Sequence, residues 1–319
     1  MIVAVIIGFC LFSILDQSFF LSGVMASLKH YFNGEETPEE TTLSEPDREI
    51  ARRIFVVTTT YYPDVSDIRF NLALDLCRLV GLHKIRLVIV DDSPEHETVR
   101  DQFHMVGTPE YVHTFRQDKT NYSGKGGALR QAIQQATNLI QAANVRKGNG
   151  LNDAVICFTE PEKVDLMNHM HRIAKPIIDR ATDVVVPTRN DELFRQTYPI
   201  EQYHSESFGN LHFDLLAKQF AGFQKDGARK LDWLFGPFAF RASFAAGWLD
   251  YEGTSWDAQM IPYVRGVRQN NWRIMSVTVN FRHPRVMKDQ EEGLPVWTKK
   301  RLNQLNLLFD LLGDNELSP

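Results

Sequence analysis

From residue 54 onwards, short runs of β-branched and apolar residues alternate with segments of helical periodicity. The run IFVVTTT at 54–60 predicts a buried strand, and residues 66–80 then carry apolar side chains at helical spacing. The same pattern predicts further strands at 85–93, 111–117, 153–162 and 183–189, and helices at 95–105 and 123–143. Because such alternation forms right-handed βαβ units, the sequence predicts an α/β fold with a mostly parallel, Rossmann-related sheet and helices on both faces.

The last third of the chain is less regular. The apolar segment 231–241 contains a Gly-Pro turn and is either a wall over a pocket or a core strand. A helix is predicted after Trp256, and residues 272–284 predict a late strand that ends in Arg-His-Pro. Leucines at amphipathic spacing over 297–312 favour a helix packed on the domain over a membrane or partner contact.

Polar residues cluster where three of the predicted strands end. These clusters are Thr58–Tyr62, Asp91–Ser93 and Thr159–Glu162. In doubly wound sheets, ligands bind at the C-terminal ends of the strands, beside the point where the strand order reverses. The sequence therefore predicts a ligand site along this edge of the sheet.

A glycine-rich turn, Gly124-Lys125-Gly126-Gly127, opens the helix predicted at 123–143. Glycines let a ligand approach the backbone, a helix N-terminus offers free N–H groups, and Lys125 supplies a positive charge, so a phosphate group would fit. The spacing matches neither the P-loop nor the dinucleotide-binding fingerprint. The alternative is a tight strand–helix turn whose lysine is solvated.

Carboxylates follow the second and fourth predicted strands. Asp91 and Asp92 could accept hydrogen bonds from a nucleobase or from ribose hydroxyls, or they could form an Asx turn and helix cap before Pro94. Glu160 and Glu162 could place two oxygens on one Mg²⁺ or Mn²⁺ ion, or they could stabilise the N-terminus of the next helix. Both pairs are candidate ligand-binding residues.

Two later residues could also take part in chemistry. Asp257 lies in the first turn of a predicted helix and is either a general base or an ordinary N-terminal charge. His283 is a candidate metal ligand or phosphate contact, and the alternative is a structural histidine.

Residues 1–30 form an apolar N-terminal segment in which the only charge before residue 29 is Asp16. The length suffices for a membrane helix, but the charge near its middle opposes insertion and no basic residue precedes it. Membrane association through residues 1–28 and packing on the domain are therefore alternatives, which leaves the location as endomembrane or cytoplasmic. Residues 31–50 are largely acidic and predict a linker ahead of a domain at 51–319.

The composition excludes several classes of protein. Lys and Arg number 35 against 40 Asp and Glu, and the net charge of -5 gives no general basic surface for nucleic acid. Cys10, Cys77 and Cys157 lie far apart in apolar runs, which excludes a disulfide framework and a cysteine metal site and predicts buried free thiols.

The order of these elements resembles the family 2-type glycosyltransferases, which have the GT-A fold. The similarity covers residues 54–285. Its elements are the polar strand end Thr58-Thr59-Thr60-Tyr61-Tyr62, the acidic element Asp91-Asp92-Ser93, the turn G-K-G-x-A-x-R-x-A from Gly124 to Ala132, and Trp256-Asp257 with Asn271-Trp272-Arg273-Ile274 downstream. Glu160-Pro161-Glu162 stands where the family has its D-x-D metal motif.

The resemblance implies transfer of a sugar from a nucleotide-diphosphate donor to an acceptor hydroxyl. It implies donor-binding roles for Thr59, Tyr61, Asp91, Asp92, Lys125 and Gly126, and a divalent cation, Mn²⁺ or Mg²⁺, held by Glu160, Glu162 and His283. Asp257 would take the acceptor proton if the enzyme inverts the sugar configuration, whereas a retaining reaction would not need that base.

Two departures from the family keep other functions open. Glu-Pro-Glu replaces Asp-x-Asp, and Trp-Asp replaces the family's Glu-Asp pair. A non-catalytic, glycosyltransferase-like protein that binds a nucleotide sugar is therefore the main alternative. A nucleotidyltransferase is disfavoured, because its glycine-rich phosphate loop would normally follow the first strand.

Overall fold

The computed structural model of the chain describes residues 43–144, 153–218, 223 and 230–313. The apolar segment 1–28 and the first part of the predicted linker lie outside these ranges, as does Cys10. Within them, no helix combines the length and the apolar character that crossing a bilayer requires.

Strands and helices alternate through the first half of the described chain, as predicted. The strands are β1 (Ile54–Thr60), β2 (Arg86–Asp91), β3 (Val112–Arg116), β4 (Val155–Phe158), β5 (Val184–Val185), β6 (Thr188–Arg189), β7 (Phe238–Arg241), β8 (Ile274–Met275) and β9 (Thr278–Val279). The helices are α1 (Glu45–Ala51), α2 (Ile68–His83), α3 (His96–Val106), α4 (Gly124–Asn144), α5 (Met170–Ile178), α6 (Asp191–Thr197), α7 (Ile200–Ala217), α8 (Ala246–Leu249), α9 (Asp257–Gln269), α10 (Arg285–Glu291) and α11 (Pro295–Gly313), with 3₁₀ turns at Val164–His169 and Ala242–Phe244.

Seven of the strands form one central sheet in the order β3-β2-β1-β4-β7-β5-β8. Strands β3, β2, β1 and β4 are parallel, and β7 runs antiparallel to both of its neighbours, β4 and β5. The register of β1 and β2 aligns Thr60 with Asp91, so their polar C-terminal ends meet at one edge. The predicted mostly parallel sheet is confirmed.

Both faces of this sheet are covered by helices. Ile54 and Val56 of β1 belong to one core cluster, with side chains of α2 and α5, whereas Phe55 and Val57 belong to a second cluster, with side chains of α4 and α9. Successive side chains of a strand point to opposite faces, so a run that is apolar throughout requires cover on both sides. This is why the strand is continuously apolar rather than alternating.

Two predicted strands, at 183–189 and 272–284, are each broken into two short pieces. The break in the first coincides with Pro187, which cannot donate a hydrogen bond to a ladder. Beyond it, β6 leaves the central sheet and pairs in parallel with β9, and these two strands form a separate two-stranded sheet. For the segment 231–241, a pocket wall and a core strand were alternatives. Its end forms the core strand β7, and Leu234, Phe235 and Gly236 line a cavity.

The folded chain begins earlier than the predicted boundary at residue 51. Residues 45–50, expected to belong to a linker, form α1 together with Ala51, and this helix packs against α5. The Ser44 side chain caps this helix by accepting from the backbone N–H of Asp47, and acidic residues in the first turn favour the helix dipole. Two of the acidic residues that suggested a linker, Glu45 and Asp47, therefore lie in the first turn of a helix.

Cys77 and Cys157 are buried and free, as predicted. Burial raises the pKa of each thiol above its ordinary value, because the charged thiolate loses its hydration. Both thiols therefore act as small apolar core side chains.

Trp272 fixes α9 against the rest of the domain. Its ring stacks on Trp248 with a centroid distance of 5.7 Å, and its backbone N–H donates to the carbonyl of Gly266 at 3.1 Å. A Cβ at Gly266 would lie only 1.9 Å from the Trp272 ring. Since α9 begins at Asp257, this contact sets the position of a candidate site residue.

We expect Gly266→Ala to lower the free energy of unfolding by about 1–3 kcal/mol, because the added methyl group displaces a buried ring. Gly81→Ala in α2 is the matched control, since a Cβ there meets only Thr108 Oγ1, at 3.6 Å. The control substitution should raise stability by up to about 1 kcal/mol through helix propensity. Urea unfolding of both variants measures the difference, and equal effects would contradict the role given to Trp272.

Candidate functional site

Asp91 joins the ends of β1 and β2. Its Oδ1 accepts from Thr60 Oγ1 at 2.8 Å and from Ser93 Oγ at 2.6 Å, and its Oδ2 bonds to His96 Nδ1 at 2.9 Å. The carboxylate is fully buried. Ser93 Oγ in turn accepts from the backbone N–H of Tyr62 at 2.9 Å. Asp91 therefore holds the polar strand ends together, and neither of its oxygens is left without a partner from the chain itself.

The neighbouring candidate donor-binding residues are more accessible. Tyr61 is half exposed, at 52%, and Thr59 is partly buried at the end of β1. Asp92 is partly exposed and pairs with the ammonium group of Lys119 at 2.7 Å. These three side chains lie at or just after the strand ends that Asp91 joins.

The glycines of the turn that opens α4 permit close packing with a later loop. Gly124 has φ +67°, and a Cβ at Gly126 would lie 2.2 Å from the carbonyl oxygen of Gly253. The backbone N–H of Gly126 donates to the carbonyl of Thr254 at 3.0 Å, and Arg130 donates to the Gly253 carbonyl at 2.6 Å. The glycines are thus accounted for by contact with the loop at 251–254.

Beside this turn lies a cavity of about 130 Å³, bounded by the end of β4 on one side and by α11 on another. Five cationic side chains and three carboxylates line it among the described residues, namely Lys125, Lys163, Arg189, Lys300, Arg301, Glu160, Glu206 and Glu291. Its aromatic walls are Tyr198, Phe235, Trp256 and Trp297. A small polar or anionic ligand would suit these walls better than an apolar one.

Glu160 lies between two lysines in this cavity. Its Oε2 is 2.9 Å from Lys163 Nζ, and its Oε1 is 3.7 Å from Lys125 Nζ. Burial acts to raise the pKa of this carboxyl, but the two ammonium groups outweigh burial and bring it below its ordinary value. Gly236, at φ +97°, allows the chain to pass alongside, because a Cβ there would lie 2.7 Å from Glu160 Oε1.

Glu162 and His283 lie in different surroundings. Glu162 is half-buried and interacts electrostatically with Arg69 and Lys300. The His283 ring is buried and stacks on Tyr198 at 4.2 Å between centroids, and neither of its nitrogens has a hydrogen-bond partner in the described part of the chain. Burial and the nearby cations lower the pKa of His283 well below its ordinary value, so the ring is neutral.

The structure does not bring Glu160, Glu162 and His283 together as a three-residue metal site. Over residues 43–144, 153–218, 223 and 230–313, no group of three or more His, Cys, Asp or Glu could hold a metal ion. Magnesium, however, is usually bound by one or two carboxylates together with substrate phosphates. The oxygens of Glu160 are already engaged by lysines, and Glu162 is not among the residues that line the cavity, so a metal-binding role for either stays a prediction.

Asp257 closes the loop that packs on α4. Its Oδ2 accepts from the Tyr251 hydroxyl at 2.7 Å, and its Oδ1 accepts from the backbone N–H of Ser255 at 3.0 Å. It is buried and is not among the residues that line the cavity, whereas Trp256 and Gln259 are. The structure thus gives Asp257 the contacts of a helix N-terminal residue, and its role as a base stays a prediction.

The sequence analysis missed most of the cavity's charged residues. Lys163 comes three residues after Glu160, and this spacing was a usable signal. Lys300 and Arg301 follow Trp297 on a helix that was expected to pack on the domain, with a membrane or partner contact as the alternative. Arg189 carried no local signal, since its partners Glu206 and Asp232 are distant in the chain.

Comparison with known proteins identifies the fold. No protein-family model matches the chain, and no curated protein matches it. Glucosyl-3-phosphoglycerate synthase from Mycobacterium tuberculosis in complex with Mn²⁺ and UDP-glucose matches with TM-score 0.52 and 12% identity, over 86% of this chain and 85% of that chain. Its complex with Mn²⁺, UDP-glucose and phosphoglyceric acid matches with TM-score 0.50 and 13% identity, over 86% of each.

A structure described as a mycobacterial protein also matches, with TM-score 0.51 and 12% identity, over 87% of this chain and 80% of that chain. At such identities the similarity shows the fold alone. The predicted GT-A-like fold is confirmed.

Adjacent aspartates offer a test of the role given to Asp91. We expect Asp91→Asn to lower the free energy of unfolding by about 2–4 kcal/mol, because an amide cannot accept from three buried donors. Asp92→Asn removes only a partly exposed ion pair and should cost at most about 1 kcal/mol. Urea unfolding measures both values. Similar losses from the two substitutions would show that Asp91 does not hold the strand ends.

Proposed function

We propose that the chain is a glycosyltransferase that moves a sugar from a nucleotide-diphosphate donor to an acceptor hydroxyl. The observation that carries this proposal is a cavity with five cationic side chains at the C-terminal ends of the parallel strands of a GT-A-like fold. This edge is where open α/β sheets bind ligands. Two of the similar structures hold UDP-glucose with Mn²⁺, which supports a nucleotide sugar as donor.

The donor's nucleoside would lie against Thr59, Tyr61 and Asp92. Tyr61 offers an exposed ring for stacking, and the Asp92 carboxylate offers an acceptor for ribose hydroxyls or a base N–H. Asp91 would act indirectly, by fixing the strand ends from below. Gly126 would contribute by its small size rather than by its N–H, which is bonded to Thr254.

Mn²⁺ or Mg²⁺ would enter with the donor diphosphate. Glu162 would provide a carboxylate, and phosphate oxygens and water would complete the coordination. When bound, such an ion supplies positive charge that stabilises a leaving diphosphate. Glu160 is less suited to bind a cation, because its carboxylate oxygens already pair with lysines. His283 is less suited because cationic side chains lie around its ring.

The chain's own contribution to catalysis is electrostatic. Negative charge develops on the diphosphate oxygen as the bond to the sugar breaks, and fixed positive groups stabilise it most strongly in a site with little water. Lys163 is held in such a position by its hydrogen bond to Glu160, and Lys125 lies 3.7 Å from the same carboxylate. For an inverting reaction, Asp257 is the proposed base, and it would have to exchange the hydrogen bond from Tyr251 for one from the acceptor hydroxyl.

The test is calorimetric titration of the full-length protein with UDP and with GDP, each with and without Mn²⁺. We expect one of them to bind with a roughly micromolar dissociation constant in the presence of Mn²⁺. Mn²⁺ should tighten nucleotide binding to the wild-type protein, and Glu162→Gln should make that increase in affinity at least about tenfold smaller. Glu97→Gln, on the exposed face of α3, is the control and should leave that gain unchanged.

Release of the nucleoside diphosphate from the matching sugar nucleotide then separates a transferase from a binder. Slow donor hydrolysis, in which water replaces the acceptor, is expected of a transferase. Tight donor binding without any turnover, with or without candidate acceptors, would favour the non-catalytic alternative. Failure of folded protein to bind either nucleotide would refute the proposed function.

A further inference from the structure

Three lysines from separate parts of the chain face the same cavity. Lys125 lies at the start of α4, Lys163 follows β4, and Lys300 lies on α11. Of these, Lys163 is the most enclosed, with 13% of its side chain exposed, whereas Lys125 is 35% exposed. Lys300 lies at the rim of the cavity, and its ammonium group is 4.4 Å from the centroid of the Trp297 ring.

The carboxylates near these lysines are too few to neutralise them. Lys125 and Lys163 share Glu160. Glu291 is taken by Arg301, at 3.0 Å, and Glu206 is taken by Arg189, at 2.8 Å. Lys300 forms no ion pair among the described residues. Glu291 and Glu162 attract its ammonium group, whereas Lys125 and Arg69 repel it. The cavity wall thus carries five cationic side chains and three carboxylates. Such an excess of positive charge around an enclosed space suits a bound polyanion.

We propose that Lys125, Lys163 and Lys300 together form a diphosphate-binding site, here called the three-lysine site, and that Glu160 positions two of its members. The inference rests on the proposed function and deepens it. It adds Lys163 and a residue of the C-terminal helix to the donor site, and it makes Glu160 a positioning residue that acts through lysines.

The role of Glu160 follows from its geometry. A lysine side chain has several rotatable bonds, and ordering it costs conformational entropy that a bound anion would otherwise have to offset. The 2.9 Å contact fixes the ammonium group of Lys163 before any ligand arrives. Gly236 leaves room for the Glu160 carboxylate, because a Cβ at that position would lie 2.7 Å from Oε1.

Inorganic pyrophosphate is the probe, because it presents the diphosphate without a base or sugar. Titrations of the full-length protein are made in EDTA, so that no divalent cation contributes. We expect Lys163→Met and Lys300→Met each to weaken pyrophosphate binding roughly tenfold. Lys299→Met, one residue away on α11 and absent from the cavity wall, is the matched control and should change the affinity less than about twofold.

A double-mutant cycle tests the positioning role of Glu160. Glu160→Gln should weaken pyrophosphate binding several-fold in the wild-type background, but have little effect where Lys163 is already methionine. Independent, additive effects would overturn the positioning role. Urea unfolding checks that each variant is folded, and the rim residue Lys300 keeps the test decisive if the buried Lys163 variant does not fold.

The outcomes separate this inference from the proposed function. Equal losses from Lys299→Met and Lys300→Met would indicate general surface charge and overturn the three-lysine site, as would unchanged affinity in Lys300→Met. Sugar transfer by the wild-type protein together with unchanged affinity in Lys300→Met would refute the site alone. Lysine-dependent pyrophosphate binding without any binding of UDP or GDP would support the anion site and refute the proposed function.

Discussion

The ion pairs of Glu160 are the interaction on which the cavity depends. One carboxylate joins the segment after β4 to the start of α4, through Lys163 and Lys125. Burial alone would favour a neutral carboxyl, and the two ammonium groups keep it charged. A single buried charge thus pairs with two side chains from separate elements, at the edge of the sheet where the parallel strands end.

Close backbone approach is the second constraint, and it explains the glycines better than ligand binding does. Gly124 and Gly126 leave room for the loop at 251–254 to pack closely. The Arg130 side chain donates hydrogen bonds to two backbone carbonyl groups of that loop. Within the same loop, Gly253 leaves room for Asp257, since a Cβ would lie 2.0 Å from Oδ2. The glycine-rich turn therefore sets the spacing between α4 and α9. Of the residues in this turn, Lys125 lines the cavity.

The cavity has one wall whose charges are satisfied within the protein. Arg189 is buried, bonds to Asp232 and Glu206, and lies 3.4 Å from the centroid of the Phe194 ring. Such a network holds its members in place and leaves little free charge for a ligand. The rim on α11 differs, because Lys300 forms no ion pair among the described residues and is attracted only at longer range by Glu291 and Glu162. Satisfied charges thus shape this site, and the unsatisfied one is available to bind.

The sequence by itself determined the elements of the first half of the fold, the mostly parallel sheet with helices on both faces, and the edge on which the candidate site lies. Those features follow from the spacing of apolar residues along the chain, which is a local property of the sequence. The sequence also singled out Asp91 and Glu160, but only the tertiary structure decided what they contact. Asp91 meets Thr60 from a strand 31 positions earlier, and the cavity that includes Glu160 is completed by Lys300 from the C-terminal helix. The partner of a buried polar group is chosen by long-range packing, and no local pattern records that choice.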